Sequence, residues 1–434
     1  MTGGVALGAI LVLLLPVLLT GTPIAFSVIL VSLAWMVITH TDVGSVGSTM
    51  FWFLNKSELV AIPFFILTAD LLGRSRATDA LVAAAEAAVG RMRGGLALVA
   101  MLTTIVFSAI CGSSVATAVA VGRVMIPRMV DAGYRRSFAV GMIAAAGGLG
   151  ILIPPSVPLI IYATIAEISV ADVFVAAFGP GLILAGMFCA YVIYLGDRVR
   201  DRKAADAPKV SSRERLVLLR RALPVLLLPV FIMGGIYSGL FTPTESAAVS
   251  TLYSAILAFT IYRKPGSGSV LRIAADSGAV ASSILLIMTA TSILSYIITL
   301  NQVPLHFKNY VTGMGLGPFE VLLAINVLLL FLGCFLEIIS VILITVPIFL
   351  PILRELDINL IHFAIIITLN MELGVITPPV GMNLYAISAI SRTPTAEVLR
   401  GTLPFMLIML AALILFTYIP PLSLFTLELA RMLK

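Results

Sequence analysis

Two strings in this 434-residue chain put glycine, proline and hydroxyl groups where they can hold a small cation. They are Gly147-Gly148-Leu149-Gly150-Ile151-Leu152-Ile153-Pro154-Pro155 and Gly374-Val375-Ile376-Thr377-Pro378-Pro379. Proline has no backbone donor. In a helix, Pro154 and Pro155 therefore leave the carbonyls of Gly150 and Ile151, four residues back, without partners. Pro378 and Pro379 do the same for Gly374 and Val375, with the Thr377 hydroxyl close by. Carbonyls and a hydroxyl, with no carboxylate required, suit a hard monovalent cation. A proline kink between packed helices is the alternative reading of either string alone. Two such strings at equivalent places, each after a glycine, favour the ion site.

Two short tips face these breaks, Cys111-Gly112-Ser113-Ser114 and Gly333-Cys334-Phe335-Leu336-Glu337. A helix starting at Ser113 directs free N–H groups and a partial positive charge toward an anion. Ser113 and Ser114, with Asn383 after the second break, are the candidates to hold a carboxylated solute. Ser108 and Thr117 lie on neighbouring faces of the arms around the first tip, as ligands or as hydroxyls bonded back to their own helices. Asn370 is expected to be structural. Glu337 is an intramembrane carboxylate, a functional candidate by default and equally a neutral or ion-paired structural group. Arg123 is expected to snorkel or pair, Glu245 to face water, and His306 and Lys308 to sit solvated at an interface.

The elements that must carry these residues are set by composition. Sixty per cent of the chain is apolar and 11% charged, against about 25% charged in soluble domains. Apolar runs long enough to span a bilayer recur throughout. The three cysteines and three histidines give neither a disulfide framework nor a metal spacing. No GxxxxGK[ST] loop is present, which argues against ATP drive. No HExxH, GxSxG or membrane Asp pair supports an enzyme. With no Lys or Arg before Lys56, the N-terminal apolar segment is expected to be a retained span rather than a cleaved signal.

Ten spans are expected, at about 5–20, 23–39, 58–73, 136–165, 172–196, 222–240, 243–262, 276–300, 360–390 and 397–419. With the N-terminus outside, only Lys56, Lys308, Arg354, Arg431 and Lys434 fall outside and, apart from Arg123 on the returning arm of the first hairpin, the other basic residues inside, as the positive-inside rule requires. The balance holds only if 94–130 and 318–353 return to the side they enter from, as re-entrant hairpins. Segment 75–93 puts Leu81, Ala85, Ala88 and Met92 on one face and suits an interfacial helix.

The polar loop Gly196–Arg221 divides the chain into halves. An offset of 224 aligns Phe107 with Phe331, Pro127 with Pro351, Gly150 with Gly374, Pro154-Pro155 with Pro378-Pro379 and Pro180 with Pro404. Five spans separate the two starts, so the halves are expected to be inverted repeats with binding near the midplane. The parts are 1–93 (first scaffold), 94–196 (first transport), 197–221 (cytoplasmic linker), 222–317 (second scaffold) and 318–434 (second transport). The fold expected is an all-α polytopic membrane protein with two hairpins and two broken helices.

FSAICGSSVATAVAVGRVMIPRM, AAGGLGILIPPSVPLIIYA and ITPPVGMNLYAIS together resemble the large membrane subunit of tripartite ATP-independent periplasmic (TRAP) transporters, and the similarity runs over essentially the whole chain. The resemblance implies an elevator fold of the ion transporter superfamily in the bacterial inner membrane. It implies symport of Na⁺, with no other cofactor, and an organic acid delivered by a periplasmic binding protein. A small four-span membrane subunit would be the second protein partner, membrane lipid the surroundings, and no nucleic acid is involved. Carried onto this chain, the first sodium site uses Ser108, Gly150, Ile153 and Pro155, and the second Gly333, Gly374, Thr377 and Val380. Cys111, a poor Na⁺ ligand, is left out. The rivals are a stand-alone dicarboxylate or citrate carrier of the same superfamily, and a channel.

Overall fold

The computed structural model describes residues 20–195, 198–199, 211–263 and 269–432, with Leu13, Pro16 and Val17 before them. Most of the expected first span, and residues 200–210 of the linker, lie outside the described residues. The first half gives α1 (Ile24–Ile38), α2 (Ser45–Leu54), α3 (Ala61–Gly73), α4 (Ala77–Val89), α5 (Gly95–Cys111), α6 (Ser114–Asp131), α7 (Arg136–Gly147), α8 (Leu149–Leu152), α9 (Val157–Ala166) and α10 (Val170–Leu195). The second gives α11 (Ser212–Tyr237), α12 (Pro243–Phe259), α13 (Val270–Leu300), α14 (Val303–Gly313), α15 (Pro318–Gly333), α16 (Ile338–Glu355), α17 (Leu360–Gly374), α18 (Met382–Ser391), α19 (Thr395–Tyr418) and α20 (Pro420–Met432). A 3₁₀ turn, Ser57–Val60, leads into α3.

The helices begin where the local chemistry permits. Ser211 accepts the Glu214 N–H and starts α11, so residues 212–221 of the expected linker are helix rather than loop. Thr242 and Glu245 form a reciprocal capping box at α12, which satisfies two end donors at once. Asn359 accepts two N–H groups at α17. Both hairpin expectations meet a helix–tip–helix unit, α5/α6 and α15/α16. Both Gly/Pro strings interrupt a helix: Ile153–Ser156 separates α8 from α9, and 375–381 separates α17 from α18. The Pro154–Pro155 and Pro378–Pro379 peptide bonds are cis.

Among the described residues six stretches are long and apolar enough to cross a membrane, or seven if α2 and α3, bent by 63° at Lys56, count as one. The even series of ten expected spans is thus not reproduced by length. The helix at 23–39 has only 15 residues, that at 243–262 stops at Phe259, and 360–390 is two pieces. Neither α2 nor α20 is among the expected elements. The face of α4 also differs: it buries Ala77, Ala80, Leu81 and Ala84, with Ala85 only half-buried. Met92 lies past the helix end and is exposed.

Packing places the interrupted helices at the centre. The stretch Arg136–Ala166 has 94% of its apolar window buried within the protein, against 28% for Ser212–Tyr237. The latter turns Leu223, Leu227, Val230 and Phe231 outward, which in lipid leaves no apolar surface in water. The first hairpin packs on α7 and α8, and α15 of the second packs on α17. The trailing pieces cross over: α9 lies on α16, and α18 lies on α6 and α7. The helices α7 and α19 touch through Gly141 and Gly401, where a side chain on either would overlap the other backbone.

Candidate functional site

Each tip is seated on its own break. At the first, Gly112 has φ +62, and a Cβ there would come within 2.6 Å of the Pro155 carbonyl oxygen. Only glycine meets both conditions. Gly150 lies under the tip in the same way: a Cβ on it would sit 2.9 Å from the Ser113 carbonyl and 3.0 Å from Thr117 Oγ1. Ser108 closes the group, its carbonyl accepting the Gly112 N–H at 3.3 Å. Ser108, Gly150, Ile153 and Pro155 are all buried, and Ser108, Gly150 and Pro155 are linked to one another through the tip.

At the second break Gly374 and Gly333 are in backbone contact. A Cβ on Gly374 would lie 2.8 Å from both the Cα and the carbonyl oxygen of Gly333. The Val380 N–H donates to the Cys334 carbonyl at 3.1 Å, which fastens the far side of the break to the same tip. Gly333, Gly374 and Val380 are therefore together. Thr377 is adjacent in sequence, but its hydroxyl donates to the Leu373 carbonyl at 2.6 Å.

The simple count of freed carbonyls needs correction. Ser156 Oγ donates to the Ile151 carbonyl at 2.6 Å. The Val375 carbonyl accepts the Asn383 N–H at 3.0 Å, and the Gly374 carbonyl accepts the Thr377 N–H at 3.1 Å. The chain turns back on itself after each proline pair and supplies donors that a straight-helix argument leaves out. Of the four carbonyls only that of Gly150 has no donor among the described residues. Thr117 Oγ1 stands against Gly150, and both it and Ser108 Oγ, on the other arm of the first tip, are buried with no hydrogen-bond partner. They are not bonded back to their helices. Buried polar groups are as a rule hydrogen-bonded, so oxygens left without donors at the first tip and its break are ones a bound cation can satisfy. The first break fits a cation more fully than the second.

The anion candidates also converge. Asn383 is fully buried, and its Nδ2 donates to Ser114 Oγ at 2.7 Å and to the Ala144 carbonyl at 3.0 Å. Asn383 is thus held at the first tip by the crossover of α18, although it follows the second break in sequence. Ser113, half-buried, is the N-cap of α6, and its side chain accepts no capping bond, so donors in the first turn of that helix keep no side-chain partner. Asn370 is structural as expected, donating to Asn326 Oδ1 at 2.8 Å and to the Asn326 carbonyl at 3.0 Å.

Glu337 resolves toward structure: its carboxylate caps α16, accepting from the N–H and the hydroxyl of Ser340, both at 3.1 Å. Arg123 is exposed, lines a cavity of about 280 Å³ between the first hairpin and the α3–α4 corner, and has no partner among the described residues. Glu245 serves its capping box, and Lys308 pairs with Glu355 at 2.8 Å.

One residue escaped the sequence reading. Glu372 is fully buried, neither carboxylate oxygen has a hydrogen-bond partner, and a Cβ on Gly148 would lie 3.6 Å from its Cδ. It therefore joins the second interrupted helix to the glycine turn of the first. The signal was available: the intramembrane-carboxylate rule applied to Glu337 applies equally to a glutamate in the apolar run before Gly374.

These features define an all-helical, multi-pass membrane protein whose buried centre is a pair of interrupted helices, each closed by a hairpin tip. The fold is similar to that in the crystal structure of the YdaH transporter of Alcanivorax borkumensis (TM-score 0.59, 15% identity, 86% of this chain and 87% of that one). Residues 11–422 match the family model for the tripartite ATP-independent periplasmic transporter, DctM component, and the chain belongs to that family. It is 42% identical over 393 residues to the C4-dicarboxylate TRAP transporter large permease protein DctM of Pseudomonas aeruginosa, covering 91% of each. It is 34% identical over 418 residues to the sialic acid TRAP transporter large permease protein SiaM of Vibrio cholerae, covering 96% of this chain and 97% of that one.

Proposed function

We propose that this chain is the large permease subunit of a sodium-coupled importer of a small organic acid in the bacterial inner membrane. It works with a small membrane subunit and a periplasmic binding protein. The observation that carries the coupling is the first break, where Ser108 Oγ, Thr117 Oγ1 and the Gly150 carbonyl are buried oxygens without donors. Na⁺ supplies what they lack. The carboxylate of the solute lies at the first tip, bound by the N-terminus of α6, Ser113, Ser114 and Asn383. Two of the relatives are named for C4-dicarboxylates and for sialic acid, both carboxylic acids, which supports that class.

The movement is an elevator motion. The halves are inverted, the hairpins re-enter the membrane, and 94–196 with 318–434 slide against the scaffold parts 1–93 and 222–317. The crossover of α9 onto α16 and of α18 onto α6 and α7 supports this, because it ties the two transport parts into one body. Reconstitution tests the assembly: uptake into liposomes requires the small subunit and a binding protein. Robust uptake by this polypeptide alone overturns the tripartite reading in favour of a stand-alone carrier.

A further inference from the structure

A cavity of about 800 Å³ lies away from both breaks, between Phe53, Lys56 and the C-terminal part of α13 on one wall and the ends of α9 and α16 on the other. Its size suits a small-molecule site, for which roughly 300–1,000 Å³ is usual. Three of the five basic residues that the charge pattern assigns to the outside, Lys56, Lys308 and Arg354, converge on it.

Lys308 is neutralised by Glu355 at 2.8 Å. The other two are not neutralised. Lys56 Nζ donates to the Thr164 carbonyl at 3.0 Å, and Arg354 to the Ala166 carbonyl at 3.5 Å. Both carbonyls belong to the last turn of α9, so the two cations cap that helix end. A carbonyl orients a cation but does not cancel its charge. Neither Lys56 nor Arg354 has a carboxylate partner among the described residues, and Glu167, which also lines the cavity, forms no ion pair there. The opposite wall offers Thr291, Ser295 and Thr299, spaced by four and so on one face of α13; the Thr291 and Thr299 hydroxyls donate to the Ile287 and Ser295 carbonyls, both at 2.8 Å, which leaves their oxygens to accept from solute hydroxyls.

We propose that this cavity is an outer waiting site for the anionic solute, its carboxylate held by Lys56 and Arg354 and its polar groups by the hydroxyl face of α13. The site rests on the carrier reading above. It adds a station distinct from the hairpin tips, reached before the solute meets Ser114 and Asn383. Lys56 reaches across to the same α9 end that Arg354 caps, so the two cations converge on one helix end, where a single carboxylate can take both charges.

The test is thiol labelling of Ser295→Cys in the assembled complex, with the unsubstituted protein as background. A sulfonate-bearing methanethiosulfonate is compared with its trimethylammonium counterpart. A focused positive field makes the anionic reagent faster by on the order of ten-fold, and succinate slows it. In Lys56→Gln with Arg354→Gln the preference collapses toward equal rates. Equal rates in the parent, no labelling at Ser295→Cys or at Thr299→Cys, or a preference that survives the double substitution each overturn the proposal. Thr299→Cys serves if Ser295→Cys does not assemble. Sodium-driven uptake by the parent complex tests the carrier reading whatever the labelling gives.

Discussion

Gly374→Ala probes the seating of the second tip on its break. The added Cβ would stand 2.8 Å from Gly333 Cα and 2.8 Å from its carbonyl oxygen. Both are backbone atoms, which cannot turn aside as a side chain can. Ordinary contact between carbon atoms begins near roughly 3.5 Å, so tip and break must separate by roughly 0.7 Å. Overpacking of this kind costs about 1–3 kcal/mol. A metal site tolerates deviations of only about 0.2 Å in its ligand distances, so the larger effect falls on sodium. We expect the sodium concentration for half-maximal uptake to rise about 10–100-fold, with a modest fall in melting temperature. Gly234→Ala and Gly278→Ala are the controls: each lies in a helix and its Cβ would meet nothing within 4 Å, so each stabilises by up to about 1 kcal/mol or does nothing. The assay is sodium titration of uptake in proteoliposomes, with thermal unfolding of the same preparations. Unchanged sodium half-saturation in Gly374→Ala refutes the reasoning, whatever happens to stability.

Gly401→Ala places a methyl group into the Ser137 carbonyl at the α7–α19 crossing; it is expected to cost more than about 3 kcal/mol and to abolish detergent-stable protein in size-exclusion profiles, whereas Gly186→Ala, with open space around it, does not. Ser108→Ala and Thr117→Val remove buried hydroxyls that have no partner, so thermal unfolding shows stability unchanged or raised by about 1 kcal/mol, while sodium titration shows weaker dependence. Hydroxyls with a purely structural role give the opposite pair of results.

What the sequence made legible were the positions where backbone shape is forced. Proline pairs after glycine mark both interruptions, and the Cys-Gly-Ser-Ser string marks a tip. These are local, and their physics needs no partner. What it hid was decided by the return of the chain. The Ile151 and Val375 carbonyls are satisfied by Ser156 and Asn383 only because of how the backbone turns after each break. The placement of Asn383 at Ser114 depends on α18 crossing to the other half, a contact 269 residues apart in sequence that no spacing rule reaches. Lys56 and Arg354 looked like scattered outer charges, and their convergence on one cavity is likewise a tertiary fact. Glu372 is a different case, because its burial follows from the apolar run around it.

The most direct test of sodium coupling is uptake by the purified three-component system under an imposed sodium gradient against an imposed proton gradient, with and without a membrane potential. The account predicts sodium-dependent uptake with a Hill coefficient above one. With at least two cations per monoanion, net positive charge moves inward, so an inside-negative potential accelerates uptake, each charge gaining roughly 2.3 kcal/mol per 100 mV. Full activity driven by protons in sodium-free buffer contradicts it, and would reduce the two Gly/Pro interruptions to kinks.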